Sequence, residues 1–553
     1  MNHTKTSVPQ FHTVPEGNMY DYLWELNKDH LDDLAIMYQG KNITYRHLFS
    51  QIDKLADRFY ADGIRKGDVV MIISLNTPET IYTVYALNKI GAISSLELVT
   101  QTPDNLRNAI RQVKPKIIVV LNLFVKGFWD VLSEFTGKIV CISPVEFLPS
   151  PIRKLIHKKL KITSELPKNA VTYSRFCHGP TEKHSVPGDF SAHAVYLSTS
   201  GSTGVPKKVI LSNSNLNAVA MYCDTERLNL KRGGKMLSIS PPFLSVGISL
   251  SIHFPLCKGI VLVLCTNPSP ESSADMFAKY RPNYYLGALE HLLKITEHKK
   301  LQNQDFHFLH CCMLGGESIS LETKNQINNF LLSHNAPHGM FIGYAMTECS
   351  GFGSAEVSLT ARKGCVGLPH PSVTVKIRNL DDNSVCAPGK TGEVMLTSPS
   401  VMVGYLDNPE ETAATIEVDE NGRRWVHTGD LGYLNQDGEI FIIGRLKRIF
   451  TTMDENTGLT YKMFPQQIES ELNKIPFITR SAVVVLEDPI KMHIPVAFVS
   501  LEKHTEQWEQ KTIATLSDVL PSYAIPVQFI AVDELPLLSS GKIDYKSLES
   551  RLQ

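Results

Sequence analysis

Ser198-Thr199-Ser200-Gly201-Ser202-Thr203-Gly204-Val205-Pro206-Lys207 follows a short apolar run typical of a strand, Ala194 to Leu197. After it come the apolar Val209-Ile210-Leu211 and a polar cluster at 212–215 that could cap a helix. Glycines let backbone N–H groups turn toward an anion, and hydroxyls and a lysine add donors and positive charge. The stretch therefore predicts a phosphate-binding loop that leaves a strand, with a flexible Ser/Gly linker as the alternative. It is not of the Walker type, because no Gly-Lys-Ser/Thr follows at the required spacing.

The length, composition and net charge are those of an ordinary globular chain with more than one domain. It has 553 residues, 43% of them hydrophobic and 20% charged, and a net charge of −1. This balance gives no reason to expect nucleic-acid binding. The 10 cysteines show no CxxC or Cys/His ligand spacing, which favours reduced thiols and a cytoplasmic location. No apolar run approaches the roughly 18 residues of a membrane span, so we expect no transmembrane segment.

The N-terminal half alternates helical and strand patterns. Helical spacing runs from Ile43 to about Tyr60, a strand pattern covers Val69 to Ile73, and a second helix starts near Pro78. The next strand begins at Gly91. Such alternation predicts βαβ units and a mostly parallel sheet. The apolar runs at 117–125 and 260–265 suit buried strands.

The segment from about Pro149 to Phe190 is predicted to be an excursion from this pattern. Lysines and arginines interleave with apolar residues over 152–161, which suits a solvated basic face or, alternatively, a membrane-surface helix. Between Lys168 and Phe190 the composition is polar, and a long surface loop is expected there.

Further motifs follow downstream in a fixed order. They are Gly315-Gly316-Glu317, Tyr344-Ala345-Met346-Thr347-Glu348, the blocks at 392–394 and 403–410, Thr428-Gly429-Asp430, Gly444-Arg445-Leu446-Lys447 and Ser540-Gly541-Lys542. Together with the phosphate loop they resemble the signatures of the adenylate-forming superfamily, which comprises acyl-CoA synthetases, peptide-synthetase adenylation domains and luciferases. Singly, most of these motifs would be ordinary turns or surface charges. The resemblance spans roughly residues 20 to 550.

The resemblance implies an α/β fold with two parts. Residues 1–446 would form a large AMP-binding region of two α/β subdomains plus a β-rich subdomain. Residues 447–553 would form a small, mobile α+β domain that carries a catalytic lysine, Lys542. Lys447 would be the hinge between the two parts.

The same resemblance implies which residues bind the nucleotide. The phosphate loop and its neighbours would contact ATP or AMP through Thr199, Ser200, Gly201, Ser202, Thr203, Gly204, Lys207, Gly316, Glu317, Tyr344, Thr347, Asp430, Arg445 and Lys542. Thr203, Lys207 and Lys542 would act in catalysis, Tyr344 would stack on adenine, and Asp430 would accept from the ribose hydroxyls. Glu348 would bind Mg²⁺, a hard cation that prefers oxygen ligands. Ala345 replaces the family's usual glycine, and its methyl group could tilt the turn.

The acyl pocket is expected to be apolar and to include Phe243, Leu244, Leu286 and Gly315. Amino-acid-activating relatives place an aspartate beside the phenylalanine to pair with the substrate ammonium, whereas this chain has Leu244. A buried ammonium without a counter-ion is costly, so the expected substrate lacks a free α-amino group. The alternatives are that another residue supplies the carboxylate or that the alignment is displaced by one position.

The stretch 451–463 departs from the family pattern, with Asp454 and its neighbours expected to lengthen a hairpin and Thr460 in place of a glycine. In relatives this stretch helps to line the tunnel for the thiol. The predicted function is therefore ATP- and Mg²⁺-dependent adenylation of a fatty or aryl acid, followed by transfer to a thiol, most simply CoA. A separate carrier protein as acceptor and a degenerate, nucleotide-binding regulatory protein are the alternatives.

Overall fold

The structure is a computed structural model that describes residues 16–145, 165–184, 186–199, 207–223, 228–267, 269–316, 319, 321–356, 362–454, 459–502, 507–537 and 543–552. The basic stretch at 152–161 lies outside these residues, as do Ser200, Gly201, Ser202, Thr203, Gly204, Glu317 and Lys542 of the predicted site.

An eight-stranded sheet carries the ends of the phosphate loop. Its strands, in chain order, are β3 (Val69–Ile73), β4 (Ile93–Leu96), β5 (Ile117–Leu121), β6 (Lys138–Ile142), β7 (Ala170–Thr172), β8 (His193–Ser198), β9 (Lys208–Ser212) and β19 (Gly404–Tyr405). Their spatial order is β19-β9-β8-β4-β3-β5-β6-β7. The pairs from β8 to β7 are parallel, whereas β9 pairs antiparallel with both β8 and β19. The predicted parallel sheet and the strand at 69–73 are thus confirmed.

A 14-stranded sheet carries the remaining motifs of the large region. Its strands are β1 (Leu34–Tyr38), β2 (Lys41–Thr44), β10 (Lys235–Ser238), β11 (Val261–Leu264), β12 (Tyr284–Gly287), β13 (Cys311–Gly315), β14 (Met340–Tyr344), β15 (Ser354–Glu356), β16 (Cys365–Pro369), β17 (Thr374–Arg378), β18 (Gly392–Thr397), β20 (Ile416–Val418), β21 (Arg424–Leu434) and β22 (Ile440–Arg445). The half from β1 through β11, β10, β12 and β13 to β14 is parallel. The half from β15 to β17 is antiparallel, and this is the β-rich subdomain.

The described α-helices of the large region pack around these two sheets. They are α1 (Met19–Asn27), α2 (Tyr45–Ala61), α3 (Pro78–Lys89), α4 (Pro103–Val113), α5 (Trp129–Glu134), α6 (Tyr173–Cys177), α7 (Asn213–Tyr222), α8 (Ser245–Ile248), α9 (Phe254–Cys257), α10 (Pro270–Tyr280), α11 (Leu289–Glu297), α12 (Leu321–Ser333) and α13 (Pro409–Thr415). The polar cluster at 212–215 does start a helix, because Ser212 and Asn215 form a reciprocal capping box on α7. In the described part of the chain no helix is long and apolar enough to cross a membrane.

The prediction of a continuous loop between Lys168 and Phe190 is wrong. Despite its polar composition, this segment contains β7, which extends the eight-stranded sheet, and the short helix α6. Tyr173 and Phe176 of α6 are buried, and the Phe176 ring packs against Phe59 of α2. Two aromatic side chains suffice to bury one face of a single helical turn, a signal too short for a periodicity argument.

The C-terminal part has its own sheets and its own core. A hairpin of β23 (Phe450–Met453) and β24 (Thr460–Met463) stands beside a three-stranded sheet of β25 (Ile478–Asp488), β26 (Met492–Leu501) and β27 (Gln528–Val532). The described α-helices of this part are α14 (Pro465–Leu472), α15 (Trp508–Ser517) and α16 (Tyr545–Glu549). The two strands that flank the centre of the atypical stretch at 451–463 pair antiparallel, and residues 455–458, where the lengthening is expected, lie outside the described residues. The predicted fold class, a large α/β region with a small C-terminal α+β domain, is confirmed.

Candidate functional site

The two ends of the phosphate loop are held together at its base. Ser198 ends β8 and Lys208 begins β9, and these two residues lie opposite each other in the antiparallel register. The Thr199 N–H donates to the Lys207 carbonyl at 2.9 Å. The described ends of the loop therefore form a closed hairpin stem, at the edge where the parallel strands of this sheet present their carboxyl ends. Ligands of open α/β sheets bind at such edges.

Lys207 and Glu348 are brought together by a tyrosine to which no role was assigned from the sequence. The Tyr405 hydroxyl donates to Glu348 Oε1 at 2.8 Å, and Lys207 Nζ lies 5.1 Å from the centre of the Tyr405 ring. Lys207 also forms an ion pair with Glu411. Burial, followed by the nearby Glu348 carboxylate, raises the pKa of Tyr405 well above its ordinary value, so this hydroxyl stays a donor.

Tyr344, Asp430 and Arg445 form a second group. The Tyr344 hydroxyl donates to Asp430 Oδ2, and Arg445 Nε lies 2.8 Å from Asp430 Oδ1. Burial and the Asp430 charge raise the pKa of Tyr344 well above its usual value, which keeps the phenol protonated. The three residues predicted to surround the adenosine are thus in direct contact, with Asp430 at the centre.

Asp430 lies in a bulge of a long strand, although Thr428-Gly429-Asp430 taken singly would suit an ordinary turn. The register of β18 against β21 shifts between Glu393 and Met395, where the opposing residues move from Leu431 to His427. Gly429 occupies the left-handed region at φ +66°, which an L side chain adopts only with strain. The Asp430 N–H donates to Thr428 Oγ1 at 3.0 Å. The bulge aims the carboxylate at Tyr344 while the strand continues to Leu434.

Hydrogen bonds from buried serines hold the backbone that directly follows the segment from Tyr344 to Glu348. Thr347–Cys349 form a 3-10 turn that ends at Ser350, and Ser350 lies in the left-handed region. Ser249, in a π-helical turn, donates its hydroxyl to the Ser350 carbonyl at 2.6 Å, and the Ser350 hydroxyl donates to the Ser400 carbonyl at 2.7 Å. Ala345 does not lie in the left-handed region, so its methyl group does not strain the turn.

The predicted acyl-pocket residues are apolar and come from the turn before α8 and from strands β12 and β13. Phe243 and Leu286 are buried, and Leu244 is half-buried just before α8. A Cβ atom built on Gly315 would meet a single neighbour, Leu286 Cδ1 at 3.9 Å, so the space beside this glycine is open. A Cβ atom on Gly247 would lie 1.8 Å from the Pro241 carbonyl oxygen, so the chain can turn here only with glycine.

The donor set around Glu348 fits Mg²⁺. One carboxylate stands near the end of a phosphate loop, and Mg²⁺ is commonly held by one or two carboxylates together with substrate phosphates. A site made by protein alone would need more ligands. Within the described ranges no group of three or more His, Cys, Asp or Glu side chains could hold a metal ion.

Comparison with known proteins identifies the family of this chain. Residues 23–406 match the AMP-binding enzyme family, and residues 467–542 match the C-terminal domain of AMP-binding enzymes. This chain belongs to the AMP-binding enzyme family. The resemblance predicted from the motifs is therefore confirmed.

Relatives and solved structures match along nearly the whole chain. The long-chain-fatty-acid–CoA ligase of Bacillus subtilis (strain 168) is 26% identical over 547 residues, which are 97% of this chain and 95% of the relative. The 4-coumarate–CoA ligase CCL1 of Humulus lupulus is 27% identical and matches 94% of this chain and 89% of its own. ATP-bound MatB from Rhodopseudomonas palustris superposes with a TM-score of 0.81 at 20% identity, covering 97% of this chain and 99% of that chain.

Proposed function

We propose that this AMP-binding enzyme is an AMP-forming acid–thiol ligase that acts on an apolar carboxylic acid and on CoA. The observation that carries the proposal is the meeting of Lys207 and Glu348 at Tyr405. It connects a lysine from the end of the phosphate loop, through the Tyr405 side chain, with a carboxylate suited to Mg²⁺. A nucleotide triphosphate requires this combination, because its charge must be neutralised before a carboxylate can approach.

The proposed reaction has two steps. The carboxylate of the acid attacks the α-phosphorus of ATP, a phosphorus–oxygen bond to pyrophosphate breaks, and acyl-AMP forms. A thiol then attacks the acyl carbon, loses its proton, and releases AMP as the thioester forms. Mg²⁺ bound by Glu348 would neutralise phosphate charge in the first step.

Each residue of the described site has a role in holding the nucleotide. Asp430 would accept hydrogen bonds from ribose hydroxyls, Arg445 would hold Asp430 in place, and Tyr344 would present its ring to adenine. Lys207 would exchange its ion pair with Glu411 for contact with phosphate. Thr203 and Lys542, which the structure does not describe, would contact phosphate and the reacting carboxylate, as the resemblance implies.

The apolar pocket supports an acid without an α-amino group. Phe243, Leu244 and Leu286 offer no counter-ion for an ammonium, and the open space beside Gly315 suits an acyl chain or an aromatic ring. Relatives named as ligases of long-chain fatty acids and of 4-coumarate support acids of these classes. They also favour CoA over a carrier protein as the acceptor.

The proposal is tested by acid-dependent exchange of labelled pyrophosphate into ATP with fatty, aryl and amino acids. We expect exchange with fatty or aryl acids and, after addition of CoA, the corresponding thioester by mass spectrometry. Exchange with amino acids alone would contradict the assignment from Leu244. Exchange without thioester formation from CoA would favour a carrier protein, and ATP binding without any exchange would favour a regulatory protein.

Replacing Asp430 with alanine is expected to raise the KM for ATP about 10- to 100-fold, since a hydrogen bond to a charged group contributes about 1.5–3 kcal/mol. The KM for the acid should change little, because the partners of Asp430 are Tyr344 and Arg445, which are predicted to surround the adenosine. Steady-state kinetics with each substrate varied in turn would measure both constants. Asp437→Ala, an exposed aspartate in the turn between β21 and β22, is the matched control. An unchanged KM for ATP in Asp430→Ala would contradict the proposed role of Asp430 in binding the ribose.

A further inference from the structure

We propose that the buried ion pair between Lys208 and Glu97 is a positioning device that fixes both ends of the phosphate loop for nucleotide binding. The inference rests on the proposed function, because the loop's ligand is taken to be the phosphate chain of ATP. Neither Lys208 nor Glu97 belongs to the motifs recognised in the sequence, and neither is placed to touch substrate.

The pair joins three strands at the edge where the loop begins. The Lys208 ammonium bonds the Glu97 carboxylate, and it donates to Ser198 Oγ at 2.9 Å. Glu97 directly follows β4, and β4 is the parallel neighbour of β8. One ammonium group therefore links the last residue of β8, the first residue of β9 and the end of β4. The loop leaves and re-enters the sheet at these points.

Consecutive lysines here point to opposite sides of the strand, as neighbouring residues of a strand do. Lys207 is partly exposed and faces Tyr405 and Glu411, whereas the Lys208 side chain is 2% exposed and faces Glu97, whose side chain is 0% exposed. Lys207 is thus free to exchange partners when phosphate binds. Lys208 is enclosed and can only hold the stem.

Stability alone does not account for such a pair. Removing two charges from water is expensive, and replacing a buried pair with apolar residues of similar volume is often neutral or stabilising. The arrangement is also incomplete: Ser95 Oγ donates to Glu97 Oε1 at 2.7 Å, but the buried Glu97 Oε2 has no hydrogen-bond partner within the described structure. An ion pair retained under these conditions is best explained by the geometry that it imposes on the loop stem.

The test separates geometry from stability by removing both charges together. The double variant Glu97→Met/Lys208→Met keeps the volume and leaves no unpaired charge, so its thermal unfolding should stay close to that of the wild type. We expect its dissociation constant for Mg-ATP, measured by isothermal titration calorimetry, to rise about tenfold, because misplaced binding groups lose contact with their ligand. The KM for the acid should change by less than about twofold.

A second buried pair in the chain serves as the matched control. Lys324 and Glu356 have side chains that are both 1% exposed, and they join α12 to β15 of the 14-stranded sheet, whereas the loop stem belongs to the eight-stranded sheet. Lys324→Met/Glu356→Met should leave the Mg-ATP dissociation constant unchanged. Ser198→Ala, which removes only the hydroxyl, is a milder variant that keeps both charges and should weaken Mg-ATP binding about threefold.

The outcomes are decisive in each case. Unchanged Mg-ATP binding in a folded Glu97→Met/Lys208→Met protein, or in Ser198→Ala if the double variant does not fold, would overturn the inference. An equal loss in the Lys324→Met/Glu356→Met control would also overturn it, since any buried pair would then have the same effect. If the wild type binds Mg-ATP but exchanges pyrophosphate with no acid, the proposed function fails while the binding constants still decide the role of the pair.

Discussion

Replacing Lys542 with alanine is expected to lower acid-dependent pyrophosphate exchange by about 10²–10³-fold, with Mg-ATP still bound. A lysine brought into a closed site would stabilise the charge that builds on the α-phosphate and on the attacking carboxylate. The described flanks of its segment are joined: Leu537 and Ile543 form an antiparallel bridge, and the Asp544 N–H donates to the Pro536 carbonyl at 2.8 Å. Lys542 directly precedes Ile543 in the sequence, and Ile543 is part of this junction.

The matched control for Lys542 is Lys546→Ala. Lys546 is exposed on α16, four residues further along the same domain. Its replacement should leave exchange unchanged, which excludes a general effect of losing positive charge. Equal exchange rates in Lys542→Ala and the wild type would contradict the catalytic role. A parallel loss of thermal stability in Lys542→Ala would show that the lysine acts on folding.

Local patterns in the sequence were sufficient to predict much of the fold. The strand at 69–73, the start of α3 at Pro78 and the cap of α7 at Ser212 depend on neighbouring residues only, and all three are observed. Family motifs extended this to the domain plan. The motifs also led to Tyr344, Asp430 and Arg445, which the structure brings into contact.

Contacts between distant residues could not be predicted in this way. Tyr405 and Glu348 are 57 positions apart, Lys207 and Glu411 are 204 apart, and Lys208 and Glu97 are 111 apart. No periodicity or capping rule relates such positions, because their proximity depends on strand order. The bulge at Asp430 was missed for a similar reason, since a Thr-Gly-Asp sequence suits a turn equally well and the partner strand decides between them.

Two arginines flank the connection between the two domains, and each forms hydrogen bonds within one of the domains. Arg445, at the end of β22, bonds Asp430 and donates to the Thr428 carbonyl at 2.9 Å within the large region. Arg448 bonds Glu469 at 2.7 Å and donates to the Val483 carbonyl at 2.9 Å within the small domain. Leu446 and Lys447 alone lie between these arginines. If the small domain rotates about this connection, as the sequence predicts, Leu446 and Lys447 are the residues that would absorb the change.

Replacing Lys447 with proline is expected to separate the two half-reactions. Leu446–Arg448 form a 3-10 turn, and the φ angles of such a turn are compatible with proline. The ring would fix φ at 447 and disfavour the helical conformation of the preceding Leu446, so the connection would be confined to one conformation and could not alternate between two. We expect one half-reaction to fall by about 100-fold or more and the other to change little. Single-turnover formation of acyl-AMP and its separate consumption by CoA would measure the two rates.

The control is Lys447→Ala, which removes the same charge but leaves φ free. It should keep the ratio of the two half-reaction rates within about threefold of the wild type, since the charge has no part in the rotation itself. Two results would contradict a pivot at this position: a proline variant with both rates unchanged, or one with both rates reduced equally. The first would mean that rotation occurs elsewhere despite the anchored arginines. The second would mean that proline disturbs the site common to both steps, which a measurement of Mg-ATP affinity in the same variant would confirm.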